Sequence, residues 1–120
     1  LENNITRNTL FVIEASSYQL EYSKIFKSNI SAILNISPDH LERHKTLKKY
    51  ISAKFKLIKS QTKKDYAILN VNNFYIKEQI KVQNFLPKII KVRKKVNSLF
   101  LKKINLLEIL KIRFSNIENP

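Results

Sequence analysis

The chain has 120 residues and a formal net charge of +14, and it contains neither glycine nor cysteine. A chain of this length forms one domain or part of one, and it can bury a core. The absence of glycine excludes a Walker-type phosphate loop and a dinucleotide-binding fingerprint within these residues, because both need glycine where backbone approaches phosphate. The absence of cysteine excludes disulfides and thiolate zinc sites.

No apolar stretch reaches the roughly 18 residues that can span a bilayer, and the polar N-terminal residues do not resemble a signal peptide. We therefore expect a cytoplasmic protein with no membrane insertion. The missing initiating methionine and the missing phosphate loop predict that the chain is a fragment of a longer polypeptide. We expect such a fragment to be inactive alone.

The positive charge is concentrated in the second part of the chain. Residues 1–44 carry four basic and five acidic side chains, whereas residues 45–120 carry nineteen basic and four acidic ones. Clustered lysines favour nucleic-acid binding, because they neutralise phosphates. These lysines, however, alternate with Ile, Leu and Phe, which is typical of the polar faces of amphipathic elements. Nucleic-acid binding is therefore the weaker alternative.

Strand-like and helix-like patterns alternate along the chain. A capping box of Ser16 and Gln19 marks one helix start, and Ser37-Pro38 marks another. Strands are predicted at 10–13, 30–36, 66–71, 88–92 and 99–101, and helices at 16–27, from Ser37, after Thr46, at 72–85 and at 106–110. Strands that alternate with helices predict an α/β fold with a parallel sheet.

The helix predicted after Thr46 has a lysine within its apolar face. Lys54 lies in the middle of an apolar arc made by Leu47, Tyr50, Ile51, Phe55, Leu57 and Ile58. Lysine is rarely buried unless it is paired. Three explanations of Lys54 are open. Its stem packs while the ammonium group reaches solvent, or the ammonium group pairs with a carboxylate. Alternatively, Lys54 is held at a functional site, where desolvation favours the neutral amine.

Polar side chains follow two of the predicted strands. Glu14 closes the run 10–13, and Asp39 and His40 come shortly after the run 30–36. Parallel strands bring their carboxyl ends to one edge of a sheet, where open α/β folds bind ligands. A carboxylate and an imidazole at that edge predict a metal-binding crevice, although helix capping explains each residue taken alone.

The pair His40 and His44 raises a second metal interpretation. Two histidines four residues apart occur in zincins, where glutamate directly follows the first histidine. Here Leu41 follows His40, and Glu42 comes one position later. This order, and the lack of an obvious third ligand, disfavour a zinc hydrolase.

Three segments taken together resemble the central domain of the Mur ligases. They read Glu14-Ala15-Ser16-Ser17-Tyr18-Gln19-Leu20-Glu21, Leu34-Asn35-Ile36-Ser37-Pro38-Asp39-His40-Leu41-Glu42-Arg43-His44 and Tyr50-Ile51-Ser52-Ala53-Lys54. The resemblance covers about residues 8–73, and the first segment is most similar to members that add D-glutamate. It implies that residues 1–120 are a fragment of that domain. The domain is a three-layer, P-loop-NTPase-like α/β fold with a parallel sheet, and this fragment is only part of it and lacks the phosphate loop. Residues 97–120 show no clear match.

The resemblance also implies a chemistry. ATP and Mg²⁺ would be the cofactors, and a UDP-sugar peptide precursor and D-glutamate the substrates, joined through an acyl phosphate. Glu14 and His40 match magnesium ligands of the family, and Lys54 matches a lysine that the family carries as a carbamate. Lys54 and His40 are then the catalytic candidates, with Ser16, Asp39 and Tyr50 in supporting roles. A full-length monomer is expected, and another Mur or folylpolyglutamate-type ligase is the alternative.

Overall fold

The structure is a computed structural model that describes residues 6, 9–38 and 41–93. The elements within these ranges are α1 (Ser17–Tyr22), β1 (Ile30–Ile33), α2 (Leu41–His44), α3 (Leu47–Lys59), β2 (Tyr66–Asn70), α4 (Phe74–Val82) and β3 (Lys88–Val92). None of the described helices is both long and apolar enough to cross a bilayer. The strand predicted at 99–101 and the helix predicted at 106–110 lie outside the described residues.

The three strands form one parallel sheet in the order β1-β2-β3. Tyr66 of β2 lies opposite Ile30 of β1 and opposite Lys88 of β3. Helices α2 and α3 connect β1 to β2, and α4 connects β2 to β3. Parallel neighbours need such crossovers. The predicted α/β fold with an open parallel sheet is confirmed.

The core lies between the sheet and the two helices α3 and α4. Helix α3 packs on β1 and α4 packs on β2, while α1 and α2 pack against α3. The buried side chains that form this core are Ile33, Ile36, Tyr50, Ile51, Phe55, Ile58, Ala67, Leu69 and Ile76. Helix α3 therefore contacts the sheet and also supports the two short helices.

Helix α3 follows the amphipathic pattern of its sequence. It begins after Thr46, whose Oγ1 accepts a hydrogen bond from Lys49 N at 3.2 Å. Its buried side chains are Tyr50, Ile51, Ala53, Phe55 and Ile58, and its exposed ones include Lys48, Lys49, Lys56 and Lys59. The prediction that these lysines form the polar face of a helix is confirmed.

A left-handed residue joins α2 to α3. Lys45 has φ of 64°, which costs about 1–2 kcal/mol for a residue with a Cβ atom. Two hydrogen bonds close the turn, from Lys45 N to Leu41 O at 2.7 Å and from Thr46 N to His44 O at 2.8 Å. The turn allows α3 to start directly after α2.

Helix α1 begins at the predicted capping box. Ser16 Oγ accepts a hydrogen bond from Gln19 N at 3.3 Å, and Gln19 Oε1 accepts one from Ser16 N at 2.8 Å. Two of the backbone donors that a helix start leaves without an intrahelical partner are satisfied in this way. The sequence prediction for this helix start is confirmed.

Helix α1 ends at Tyr22, earlier than the predicted end near Lys27. Lys56 of α3 donates hydrogen bonds from Nζ to the carbonyl oxygens of Glu21 at 2.6 Å and Ser23 at 3.2 Å. Ser23 itself is extended, with ψ of 129°. A cation at the carboxyl end of a helix interacts favourably with the last backbone carbonyl groups. The contact from Lys56 of α3 therefore fixes where α1 ends.

Strand β1 ends at Ile33, and the helix start predicted at Ser37-Pro38 is wrong, since neither residue is helical and α2 begins at Leu41. The reason lies in β2 and the loop after it. Asn70 and Asn73 donate side-chain hydrogen bonds to backbone carbonyls of the segment 34–36. Carbonyls that accept these bonds hold the segment against the end of β2, so the next helix begins later.

The apolar run 10–13 forms no strand, and the strand predicted there is wrong. Its four side chains are between 46% and 67% exposed. A strand needs a neighbour that pairs with its backbone N–H and C=O groups. Strand β1 pairs with β2 along one edge, and no described residue pairs with its other edge. Glu14 therefore follows an exposed irregular segment.

Gln61 closes the amino-terminal end of the sheet. Its side chain is buried, accepts a hydrogen bond from Ser31 Oγ at 2.9 Å, and donates to the carbonyls of Ser28 at 3.1 Å and Tyr66 at 2.9 Å. The amide thus satisfies polar groups of two neighbouring strands. Such satisfaction is what allows polar side chains to be buried.

Asp65 fixes the loop that precedes β2. Its Oδ2 accepts hydrogen bonds from Thr62 N at 2.7 Å and Thr62 Oγ1 at 2.9 Å, and Lys27 Nζ lies 3.5 Å away. Asn29 Nδ2 donates to Oδ1 at 3.3 Å. The hydrogen bond from the Thr62 backbone, joined by the side-chain contacts, holds the pKa of Asp65 below its usual value against the opposing effect of burial.

Replacing Asp65 with Asn should lower the free energy of unfolding at neutral pH by about 1–3 kcal/mol, the range for hydrogen bonds to a buried charged group. Because the pKa of Asp65 is lower in the folded chain than in the unfolded one, its contribution is fully present above about pH 4. That contribution is lost as the pH falls through the folded-state pKa. Urea unfolding of wild type and Asp65→Asn between about pH 2 and about pH 7 measures this difference.

The control is Glu78→Gln, because Glu78 pairs with Lys81 at 2.9 Å on the surface. Surface pairs contribute about 0–1 kcal/mol. The same pH dependence in both variants would contradict the role of Asp65.

Candidate functional site

Asparagines tie together the carboxyl ends of β1 and β2. Asn70 ends β2, is buried, and donates a hydrogen bond from Nδ2 to Leu34 O at 3.0 Å. Asn73 donates from Nδ2 to Ile36 O and to Asn35 Oδ1, both at 2.9 Å. In an open α/β sheet, this edge is where ligands bind. The chain therefore has a rigid polar edge at the expected place.

Glu14 and Ser16 lie at the approach to α1. Glu14 is exposed, and Ser16 is the N-cap residue of the helix. The cap contacts fix the backbone two residues after Glu14. Glu14 is thus an accessible carboxylate next to an ordered helix start, which leaves its oxygens available to a cation.

Lys54 lies half-buried on α3, with its ammonium group above an aromatic ring. The Nζ atom is 5.3 Å from the centroid of the Tyr50 ring, and Tyr50 is 3% exposed. A cation within about 6 Å of a ring face is attracted to it. The sequence placed Lys54 within the apolar face of α3, and in the structure the residue is half-buried.

His44 forms a buried polar cluster with residues of α1. Its side chain is 0% exposed, its Nε2 lies 2.9 Å from Ser17 Oγ, and its Nδ1 lies 3.3 Å from Glu21 Oε2. The Nδ1 contact is at ion-pairing distance without the alignment of a hydrogen bond. The imidazole stacks on Tyr18 at 4.8 Å between centroids and meets Tyr50 at 5.5 Å.

The structure brings some of the predicted site residues together and leaves others apart. Tyr50 and Lys54 are in contact, and Ser16 caps the helix that follows Glu14. Asp39 and His40 lie outside the described residues. In the part of the chain that the structure describes, no group of three or more His, Cys, Asp or Glu side chains is arranged to hold a metal ion. The zinc interpretation of His44 is not supported, because its ring contacts α1.

Sequence reasoning missed the role of His44 and of the asparagines after β2. Ser17 and His44 are 27 residues apart, and no spacing rule connects them. For Asn70 and Asn73 a signal existed, because asparagine at or shortly after the end of a strand often bonds to nearby backbone. That signal predicts a turn but not the partner strand.

The open parallel sheet with its polar carboxyl edge defines an α/β domain of the kind that binds ligands outside its strand ends. Within that class, the chain belongs to the Mur ligase middle domain family, whose model matches residues 2–116.

The chain is similar to curated proteins named UDP-N-acetylmuramoylalanine--D-glutamate ligase. The protein from Lachnoclostridium phytofermentans is 47% identical over 74 residues, which cover 62% of this chain and 16% of that protein. The protein from Alkaliphilus oremlandii is 45% identical over 76 residues, 63% of this chain and 17% of that protein. The protein from Thermosipho melanesiensis is 46% identical over 80 residues, 67% of this chain and 18% of that protein. The chain thus spans less than a fifth of the length of these relatives.

Replacing Asn73 with Ala should lower the free energy of unfolding by about 2–3 kcal/mol. The variant loses the cap to Ile76 N, made at 3.2 Å, and leaves Ile36 O without its donor. Chemical denaturation measures the loss. Asn72→Ala is the matched control, since Asn72 is exposed and uses its backbone N–H to bond Asn70 Oδ1 at 3.1 Å. Equal losses in the two variants would contradict a tie between the strand ends.

Proposed function

We propose that this chain is the central part of an ATP-dependent ligase that joins D-glutamate to UDP-N-acetylmuramoyl-L-alanine in peptidoglycan synthesis. The observation that carries the proposal is the match to proteins named for this reaction, at 45% to 47% identity over more than 60% of the chain. Membership of the Mur ligase middle domain family supports it. The proposed location is the cytoplasm, and the full-length protein is proposed to be a monomer that binds no nucleic acid.

We assign Mg²⁺ and ATP as the cofactors, with Glu14, His40 and a carbamylated Lys54 as the metal ligands. Two of these three donors suit the ion, because Mg²⁺ prefers oxygen ligands and both carboxylate and carbamate supply oxygen. The imidazole nitrogen of His40 is an unusual ligand for Mg²⁺. When bound, Mg²⁺ neutralises the negative charge that develops during phosphoryl transfer. Glu14 is exposed and Lys54 is half-buried, so that both side chains are partly open to a small ligand.

Tyr50 supports the candidate ligand Lys54 through packing, and Ser16 supports the candidate ligand Glu14 through helix capping. The Tyr50 ring lies under the Lys54 ammonium group and limits the positions that it can take. Ser16 starts α1 two residues after Glu14 and fixes the backbone there. Asp39, next to His40, is assigned a supporting role on the family resemblance alone. Positioning of charged groups is the main contribution that a protein makes to phosphoryl transfer.

The basic residues in the described part of the chain favour no second function. Lys56 donates to the end of α1, and Lys81 pairs with Glu78. Lys48, Lys49 and Lys59 lie on the polar face of the amphipathic helix α3. The competing proposal is a ligase of the same superfamily that adds a different amino acid.

The complete gene product should release phosphate from ATP when UDP-N-acetylmuramoyl-L-alanine and D-glutamate are both present. A panel that replaces D-glutamate by L-glutamate, L-lysine or meso-diaminopimelate should give at most about one hundredth of that rate. L-lysine lacks the side-chain carboxylate, and the other two present their charged groups in a different arrangement, so that charged groups of the site are left without a partner. Phosphate release in a coupled assay is the measurement. Turnover with a different amino acid, and none with D-glutamate, would favour the competing proposal.

Replacing Lys54 with Ala should lower turnover by at least about 100-fold, the scale on which loss of one positioned charged group acts. Lys48→Ala is the matched control, because Lys48 is exposed on the same helix. The carbamate is checked separately, by incorporation of ¹³C-labelled bicarbonate into wild type and its loss in Lys54→Ala. Turnover of Lys54→Ala equal to that of the control would refute the role of Lys54.

A further inference from the structure

We propose that His44 is a positioning residue, which sets the arrangement of the two described segments that carry the candidate magnesium ligands Glu14 and Lys54. The inference rests on the proposed function, since it concerns the same site. His44 itself is buried and does not meet a substrate. Its effect is exerted through the contacts that its ring makes.

One imidazole ring contacts two described segments that carry candidate ligands. Ser17, three residues after Glu14, lies 2.9 Å from Nε2. Tyr50, whose ring lies under Lys54, is 5.5 Å from the imidazole centroid. A shift of this ring would therefore move these two segments relative to one another.

Both nitrogens of the ring face one side of α1, and Nε2 alone makes a hydrogen bond to it. The Glu21 carboxylate beside Nδ1 favours the tautomer that carries its proton on Nδ1. In that tautomer Nε2 accepts a hydrogen bond from the Ser17 hydroxyl. Ser17 and Glu21 are four residues apart and lie on one side of the helix. The ring therefore fixes the rotation of α1 as well as its distance from α3.

Helix α1 depends on such contacts because it has only six residues. Isolated helices of this length are unstable in water, and packing decides whether and where they form. The contacts from Lys56 hold the carboxyl end of α1, and His44 holds the side that packs on α3. Without His44, the segment that begins at Glu14 would keep its cap but lose its fixed orientation.

A serine, a histidine and a glutamate in contact also occur in hydrolase triads, but burial argues against that function. Ser17 is 4% exposed and His44 is 2% exposed. A nucleophile must reach a substrate carbonyl, and these groups are covered by Tyr18 and Tyr50. The cluster is suited to fixing helices and not to attacking a substrate.

The test compares two buried hydroxyl groups in the complete gene product. Ser17 and Ser31 are both 4% exposed, and each lies 2.9 Å from a polar atom of a buried side chain, His44 and Gln61 respectively. Ser17→Ala and Ser31→Ala therefore remove the same chemistry, one beside the candidate site and one at the opposite end of the sheet. The measurements are Tm, kcat and KM for ATP with D-glutamate as substrate.

Ser17→Ala should lower kcat by about 10- to 100-fold with KM for ATP nearly unchanged, because a misplacement of about 1 Å at a reacting centre has effects of this size. Ser31→Ala should lower Tm by a similar amount and leave kcat within about twofold. His44→Phe keeps the ring and should resemble Ser17→Ala. His44→Gln, which can still bond Ser17 but has no ring to contact Tyr50, should recover part of kcat.

Equal kcat values for Ser17→Ala and Ser31→Ala, or wild-type kcat in His44→Phe, would overturn the positioning role while the proposed function stands. A wild-type protein without D-glutamate ligase activity would overturn the proposed function, and the role of His44 would fall with it. Rescue in His44→Gln together with loss in His44→Phe supports the proposal.

Discussion

The packing of α3 is the interaction on which the rest of the described structure depends. One side of this helix is buried against the sheet, where Phe55 and Ile58 have no exposed surface. Elsewhere on α3, Tyr50 meets His44, and Lys56 holds the end of α1. The two short helices α1 and α2 thus take their places from a 13-residue helix that is itself fixed by the sheet. Lys54, the candidate ligand on α3, therefore lies on a well-packed element, as functional groups require.

Polar side chains close the sheet at both ends, in two different ways. At the amino-terminal end, Gln61 and Asp65 satisfy backbone and side-chain groups of the loops. At the carboxyl end, Asn70 and Asn73 bond to carbonyls of the neighbouring segment 34–36. The first pair stabilises the turn that precedes β2, and the second pair shapes the edge where ligands of this fold class bind. Hydrophobic packing holds the sheet and the helices together, and the side-chain amides of Gln61, Asn70 and Asn73 and the carboxylate of Asp65 fix the two ends of the sheet.

The elements that could be predicted from sequence are those with a complete local pattern. The amphipathic helix at 47–59 and the strand at 88–92 have a clear period or a clear apolar run, and both are found where the pattern puts them. The run 10–13 has an equally clear pattern, but a strand also needs a partner, which no local pattern supplies. Lys54 could be singled out because it interrupts a period. His44 could not, because its partners on α1 are set by tertiary packing.

The left-handed turn at Lys45 shows what a chain without glycine must tolerate. Glycine enlarges the set of conformations open to an unfolded chain, so a chain that lacks it has less freedom to lose on folding. The same composition forces a residue with a long side chain into a conformation that glycine adopts without cost. The compositional bias of this chain thus stiffens the denatured ensemble, and among the described residues the steric penalty falls on Lys45, beside the histidine that orients the helices.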